Sequence, residues 1–188
     1  MPKAQRMEQM LTVAEEVFAE RGYLAASMDE IAERVGVSKP MLYEYFGSKE
    51  GLLIACVHKA RIELRAKTEQ AIANASTPEE FLRLGLLAFF EFIAEHTKSW
   101  AMLRQETAIA HEEVEAVRRQ QTDLIASVLT GFAPGIDALE AEAFAEIVVG
   151  ACERLALWCE RRPSVGPALA TDYIMDVVWN GVARHIKA

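Results

Sequence analysis

The stretch from Ser27 to Lys49 constrains this chain most, because it holds two complete sets of helix start and stop signals in very few residues. Ser27 followed by Glu30 has the spacing of a capping box, in which hydroxyl and carboxylate each satisfy a free backbone N–H. Met28, Ile31, Ala32 and Val35 then recur at helical spacing, so one face of a first short helix is buried. Gly36 supplies the positive-φ residue that ends it, and Val37 fills the corner. Ser38 caps a second helix in which Leu42 and Phe46 stand one turn apart and point inward. Two helices joined by so short a turn make a helix-turn-helix, whose second helix is of a size to enter a DNA major groove.

The same stretch resembles the TetR family of transcriptional regulators. The matching elements read Ser27, Ile31-Ala32, Gly36-Val37-Ser38, Leu42-Tyr43-Glu44-Tyr45-Phe46 and Ser48-Lys49-Glu50-Gly51-Leu52. The preceding helix agrees through Ala14, Val17-Phe18 and Arg21-Gly22-Tyr23. The likeness covers roughly the first third of the chain and is specific, since many positions must agree in register. Beyond it, only length and helical character match. The resemblance implies a homodimeric regulator that binds a palindromic operator and answers to a small molecule, with repression the usual outcome.

On a helical wheel for 38–46, Leu42 and Phe46 share the buried side, while Pro40, Met41, Tyr43 and Glu44 spread over the side a groove would meet. Ser38 and Lys39 are placed to reach base edges or phosphates, and Met41 to pack on a thymine methyl. Lys49 and Ser27 stand beside helix N-termini, where they could grip the DNA backbone. Tyr43 and Tyr45 can donate hydroxyls to phosphates, as the family resemblance implies. Glu44 departs from the family pattern; it could accept from a cytosine amino group or repel phosphate and sharpen specificity.

Charge runs against this reading. The net charge is −8, and within residues 1–58 the six cations Lys3, Arg6, Arg21, Arg34, Lys39 and Lys49 face nine acids. Bulk electrostatics cannot drive such a surface onto any duplex, so binding must depend on placement and on the correct site. Apolar content of 52% with 26% charged residues describes an ordinary globular chain. No export signal is apparent, and the most apolar run, 84–90, is far short of a membrane span. Cys56, Cys152 and Cys159 have no metal spacing and read as buried inert thiols in a cytoplasmic protein.

The rest of the chain reads as helices. The first should run from about Lys3 to Arg21 with Met7, Met10, Leu11, Ala14, Val17 and Phe18 inward, stopped by Gly22. Ser48 caps a long fourth helix, and Thr77-Pro78-Glu79-Glu80 opens a fifth. Further helices are expected over about 98–109, 111–130, 137–161 and 165–187. No strand alternation is visible. The fold expected is all-α: a three-helix helix-turn-helix domain over 1–48 and a larger helical effector-binding and dimerisation domain over 49–188. The last two helices are apolar on more than one face, through Ile147, Val148, Val149 and Leu155 and through Tyr173, Val177, Val178 and Trp179. One side should meet the core and the other a second copy, giving a dimer through about 137–187.

Phe89, Phe92, Ile93, Trp100, Met102, Leu103 and Trp158 supply aromatic and apolar bulk for an effector cavity, with Arg104 or Glu106 as polar anchor. A close-packed core is an equal reading. No catalytic set emerges: the four histidines lie on separate segments, no phosphate loop or nucleophile elbow occurs, and neither metal nor cofactor is implied. Two rival readings stay open, a helical protein-binding adaptor and a small all-α enzyme using the apolar cavity.

Overall fold

The computed structural model describes residues 2–104, 111–133 and 135–186, of which 102–104 and 181–186 are described by backbone alone. All regular structure among the described residues is helical: α1 Lys3–Ala25, α2 Met28–Val35, α3 Lys39–Phe46, α4 Lys49–Ile72, α5 Pro78–Glu95, α6 Thr97–Arg104, α7 His111–Phe132, α8 Ala138–Cys159 and α9 Pro167–Ile186. The chain divides into two compact units, Met1–Glu63 with His96–Glu115, and Leu64–Glu95 with Ala116–Ala188. The first unit thus takes in the opening of α4 and the segment around α6 as well as the helix-turn-helix.

In the first unit α1 packs on α2 and on α6, and α2 on α3. Met10, Leu11, Ala14, Val17 and Phe18 line the buried side of α1, whereas Met7, a turn earlier, is exposed. Gly22 leaves the helical region at φ 73°, ψ 161° and kinks α1. Met28, Ile31, Ala32 and Val35 of α2 and Leu42 of α3 close the core. Each of the larger of these side chains removed from water contributes about 1.5–3 kcal/mol. Phe46 is only half-buried, at the edge of this core rather than within it.

In the second unit α5 packs on α9, and α8 on α9. Thr77 Oγ1 accepts from Glu80 N at 3.1 Å, so the expected start of α5 is in place. The buried side of α8 is Ala141, Ala145, Val148, Cys152 and Ala156, a row of mostly small residues at helical spacing. α9 answers with Ala170, Thr171, Ile174 and Met175. Val148 therefore belongs to the unit's own core, while Ile147 and Val177 point outward at 61% and 78% exposure. Arg83–Asp172 at 2.6 Å and Arg118–Glu153 at 2.9 Å tie the helices at their rims.

Candidate nucleic-acid interface

The helix-turn-helix is set by local chemistry. Ser27 Oγ accepts from Glu30 N at 3.1 Å, one half of the expected capping box. The reciprocal half is not made, because the Glu30 carboxylate turns to Arg34 at 2.6 Å and Arg21 at 3.4 Å. Two guanidinium partners outcompete one neutral backbone N–H. Gly36, at φ 78°, ends α2 in the left-handed region, where a side chain would be strained. Ser38 occupies the N-cap of α3 by its backbone, but its hydroxyl makes no capping bond. The reason lies in the next residues: Pro40 has no N–H to offer, and Met41 N bonds the Ser38 carbonyl at 3.0 Å. Ser38 is exposed, and its hydroxyl caps no N–H among the described residues.

The exit from α3 is equally constrained. Gly47 adopts φ 74°, Ser48 Oγ accepts from Gly51 N at 2.9 Å, and a Cβ on Gly51 would lie 2.1 Å from the Phe46 carbonyl oxygen. Only glycine at 51 lets α4 start so soon after α3 stops. Its requirement shows in the sequence only as a glycine inside a helical pattern.

Between these ends α3 presents Lys39, Pro40, Tyr43 and Glu44 to solvent, with Tyr43 42% exposed. Met41 and Tyr45 stand half-buried on one flank of the same helix. Arg6 Nη1 lies 4.0 Å from Met41 Sδ, and Lys3 Nζ sits 5.5 Å from the Tyr45 ring centre. Lys39 is held by Asp29 at 2.8 Å, and that hydrogen-bonded pairing raises its pKa. Lys49 turns inward: its ammonium donates to the Tyr23 and Ala26 carbonyls at 2.8 and 2.9 Å and lies 4.4 Å from the Tyr23 ring centre. This grip on the kinked end of α1 occupies donors that the sequence had assigned to DNA, so Lys49 is first a structural residue.

Behind the helix-turn-helix, Glu15 of α1 accepts from Ser99 Oγ of α6 at 3.0 Å and lies 3.6 Å from Lys59 of α4. Burial raises its pKa above the usual carboxylate range, with Lys59 opposing the shift. Burial likewise pushes Cys56 far up and Cys152 to about 12, so neither thiol is reactive.

Phe92 is closed in the core of the second unit, Phe89 packs edge-on to Phe90, and Trp158 meets Tyr173 and carries Arg162 over its ring. Trp100 is buried in the first unit. The side chains of Met102, Leu103 and Arg104, and the whole of Glu106, lie outside the described residues. A small apolar pocket of ≈ 20 Å³ opens in the second unit, walled by Pro78, Phe81 and Leu82 of α5, Ile125, Val128, Leu129 and Phe132 of α7, and Trp179 of α9.

Residues 10–56 match the family described as "Bacterial regulatory proteins, tetR family", and residues 78–181 match the "Tetracyclin repressor-like, C-terminal domain". The HTH-type transcriptional activator FasR of Mycolicibacterium smegmatis is 29% identical over 98% of this chain and 86% of its own. The crystal structure of a TetR-like transcriptional regulator from Rhodococcus sp. RHA1 is 33% identical and superposes with a TM-score of 0.82, covering 97% of this chain and 98% of that one. FadR from Bacillus subtilis, solved in complex with stearoyl-CoA, shares the fold at a TM-score of 0.80 and 20% identity, over 91% of this chain and 96% of its own. These are DNA-binding transcription regulators, not enzymes. With a groove-sized α3 held between two obligatory glycine turns, and with both halves of the chain matched, this protein belongs to the TetR family of bacterial regulatory proteins.

Proposed function

We propose that the chain acts as a homodimer that sets one α3 into each half of a palindromic operator, and that an apolar small molecule in the second unit controls this grip. The observation that carries the reading is an exposed apolar row on α9, Leu169, Tyr173 and Val177, at 40%, 44% and 78% exposure, with Ile147 exposed on α8. A row of this kind at helical spacing is a surface that a second copy can cover, and Gly150 beside it permits close approach. Pairing by a two-fold axis supplies the second recognition helix that one half-site alone lacks. Ser38, Lys39, Pro40, Tyr43 and Glu44 then meet the groove, and Glu44, which makes no hydrogen bond or ion pair with described residues, is free to read or repel.

The effector we propose is a molecule with a long acyl chain, taken between α5, α7 and α9. Support comes from the wholly apolar wall of that pocket and from the stearoyl-CoA bound by the Bacillus subtilis relative. Such a ligand acts by favouring the conformer whose two α3 helices fit the operator poorly. An operator overlapping a promoter is then blocked until the effector arrives, in the cytoplasm where DNA and acyl thioesters meet. No described helix is long and apolar enough to cross a membrane.

The test begins with selection of a duplex from a random pool by the wild-type protein, followed by titration with stearoyl-CoA. Release of the duplex is expected; unchanged binding at saturating acyl-CoA removes the acyl effector from the reading. Val177→Glu should sediment as a monomer and lose the selected duplex while keeping its helical content. A Val177→Glu protein that stays dimeric places the interface elsewhere.

A further inference from the structure

The first unit is acidic, yet it is the unit that must approach a polyanion. Where the cations around the helix-turn-helix go decides how much positive charge is left there for DNA. Arg34 is held by Glu20 at 2.8 Å and Glu30 at 2.6 Å, and Arg21 reaches Glu30 at 3.4 Å. Lys39 is paired with Asp29, and Lys49 is taken by backbone carbonyls. Lys59 lies 2.8 Å from Glu8 and 3.6 Å from Glu15. Lys98 closes on Glu16 at 2.5 Å. Two cations differ from all of these. Among the described residues, Lys3 and Arg6 contact a tyrosine ring and a thioether, and no carboxylate.

Their position is as informative as their partners. Lys3 and Arg6 are three residues apart on α1, so they share one face of its first turns. Met41 and Tyr45 are four residues apart on α3 and share the flank that those two cations cover. The first turn of α1 holds no acid, and Glu8 is drawn away to Lys59. Unneutralised charge therefore lies alongside α3, beside its exposed face rather than on it. A helix seated in a major groove has a phosphate strand on each side, so a cation on its flank meets backbone and not bases. The contacts to ring and sulfur do not neutralise either cation, and an exposed cation–π contact is worth only about 0.5–1 kcal/mol.

We infer that Lys3 and Arg6 form a phosphate-binding pair that supplies most of the electrostatic part of DNA binding, while α3 reads sequence. The inference rests on the reading that α3 enters the major groove. Each phosphate contact steepens the fall of log K with log salt by about 0.9, so two contacts from each protomer of a dimer contribute roughly 3–4 to the slope.

The experiment measures binding by anisotropy across a KCl series, for wild type, for Lys3→Gln/Arg6→Gln and for Lys39→Gln, on the selected duplex and on a random-sequence duplex. The double variant should show a slope shallower by roughly 3–4, with affinity for both duplexes lowered by the same factor, so that preference is kept. Lys39→Gln should move the slope much less, because Asp29 already neutralises that ammonium. A double variant with matched thermal midpoint and unchanged slope overturns the inference. Loss confined to the selected duplex overturns it too, since that pattern means the pair acts by positioning α3. If the double variant is less stable, Lys3→Arg/Arg6→Lys keeps both charges, and a slope that then departs from wild type is equally fatal. A wild type that retains no duplex at low salt defeats the groove reading itself, an outcome distinct from a wild type that binds with a slope these two residues do not alter.

Discussion

α3 and α9 are built alike and turned to different uses. Each buries one side in its own unit, Leu42 in α3 and Ala170, Ile174 and Met175 in α9, and leaves another side uncovered. The uncovered side of α3 is Lys39, Pro40, Tyr43 and Glu44; that of α9 contains Leu169, Tyr173 and Val177. Exposure alone does not distinguish them. The chemistry of the exposed row does: hydroxyl, charge and a short polar start suit phosphates and base edges, whereas an aliphatic and aromatic row loses free energy to water until protein covers it. The charge accounting sharpens the contrast, because most cations in the first unit serve the fold and few remain for a ligand.

The comparison is broken most directly at the buried positions. Leu42→Ala and Ile174→Ala should each cost about 2–5 kcal/mol in denaturant unfolding at any protein concentration, whereas Val177→Ala should cost less and only through the dimer, so that its loss varies with protein concentration. Equal losses at all three sites mean that the outer row of α9 is part of the monomer core. The next largest effect is expected at Lys49. Lys49→Met removes the donor to the carbonyls that close α1 and should cost about 1–3 kcal/mol of stability. Lost DNA binding with an unchanged melting curve would return Lys49 to the interface. Tyr43→Phe should lower affinity for the selected duplex by about 1 kcal/mol without touching stability, the scale of a single hydrogen bond. Unaltered affinity there would leave the exposed face of α3 without its main hydroxyl contact.

Glu15 gives the smallest effect and a test by pH. Its folded pKa is raised above the ordinary 4.5, chiefly by burial, so ionising it costs stability. The favourable side is present below the ordinary value and is lost as pH rises through the raised one. Glu15→Gln keeps an acceptor for Ser99 and should be more stable than wild type at neutral pH by ~0.5 kcal/mol, within the range of one net hydrogen bond. The gap should close as pH falls into the carboxylate range. A gap that widens on acidification means that the Lys59 attraction outweighs burial.

Much of the first unit was legible because its signals are local. A serine three residues before a backbone N–H, a glycine at positive φ and apolar residues a turn apart depend on their neighbours in sequence, and α2, α3 and the start of α5 lie where those signals put them. The capping side chains were less legible. Ser38 is a cap in position only, since Pro40 withholds one N–H and a backbone carbonyl takes the next. An effector site was not legible either, because bulk and spacing say that aromatic residues are buried and not which cavity they share. The pocket wall of Phe81, Ile125, Phe132 and Trp179 joins residues from three helices and has no period of its own.

The sequence by itself determined an all-helical chain, its helix-turn-helix, the face that α3 turns outward and the family to which it belongs. Those follow from backbone conformational limits and helical periodicity, which act over a few residues. Tertiary structure decided which of two apolar faces is outer, placing Val148 inside and Val177 outside, and which cations are consumed by the fold. Lys49 reaches carbonyls 23 to 26 residues earlier, and Arg6 reaches a sulfur 35 residues later. A long flexible side chain takes whatever partner the packed helices bring within its reach, and helical spacing carries no record of that choice.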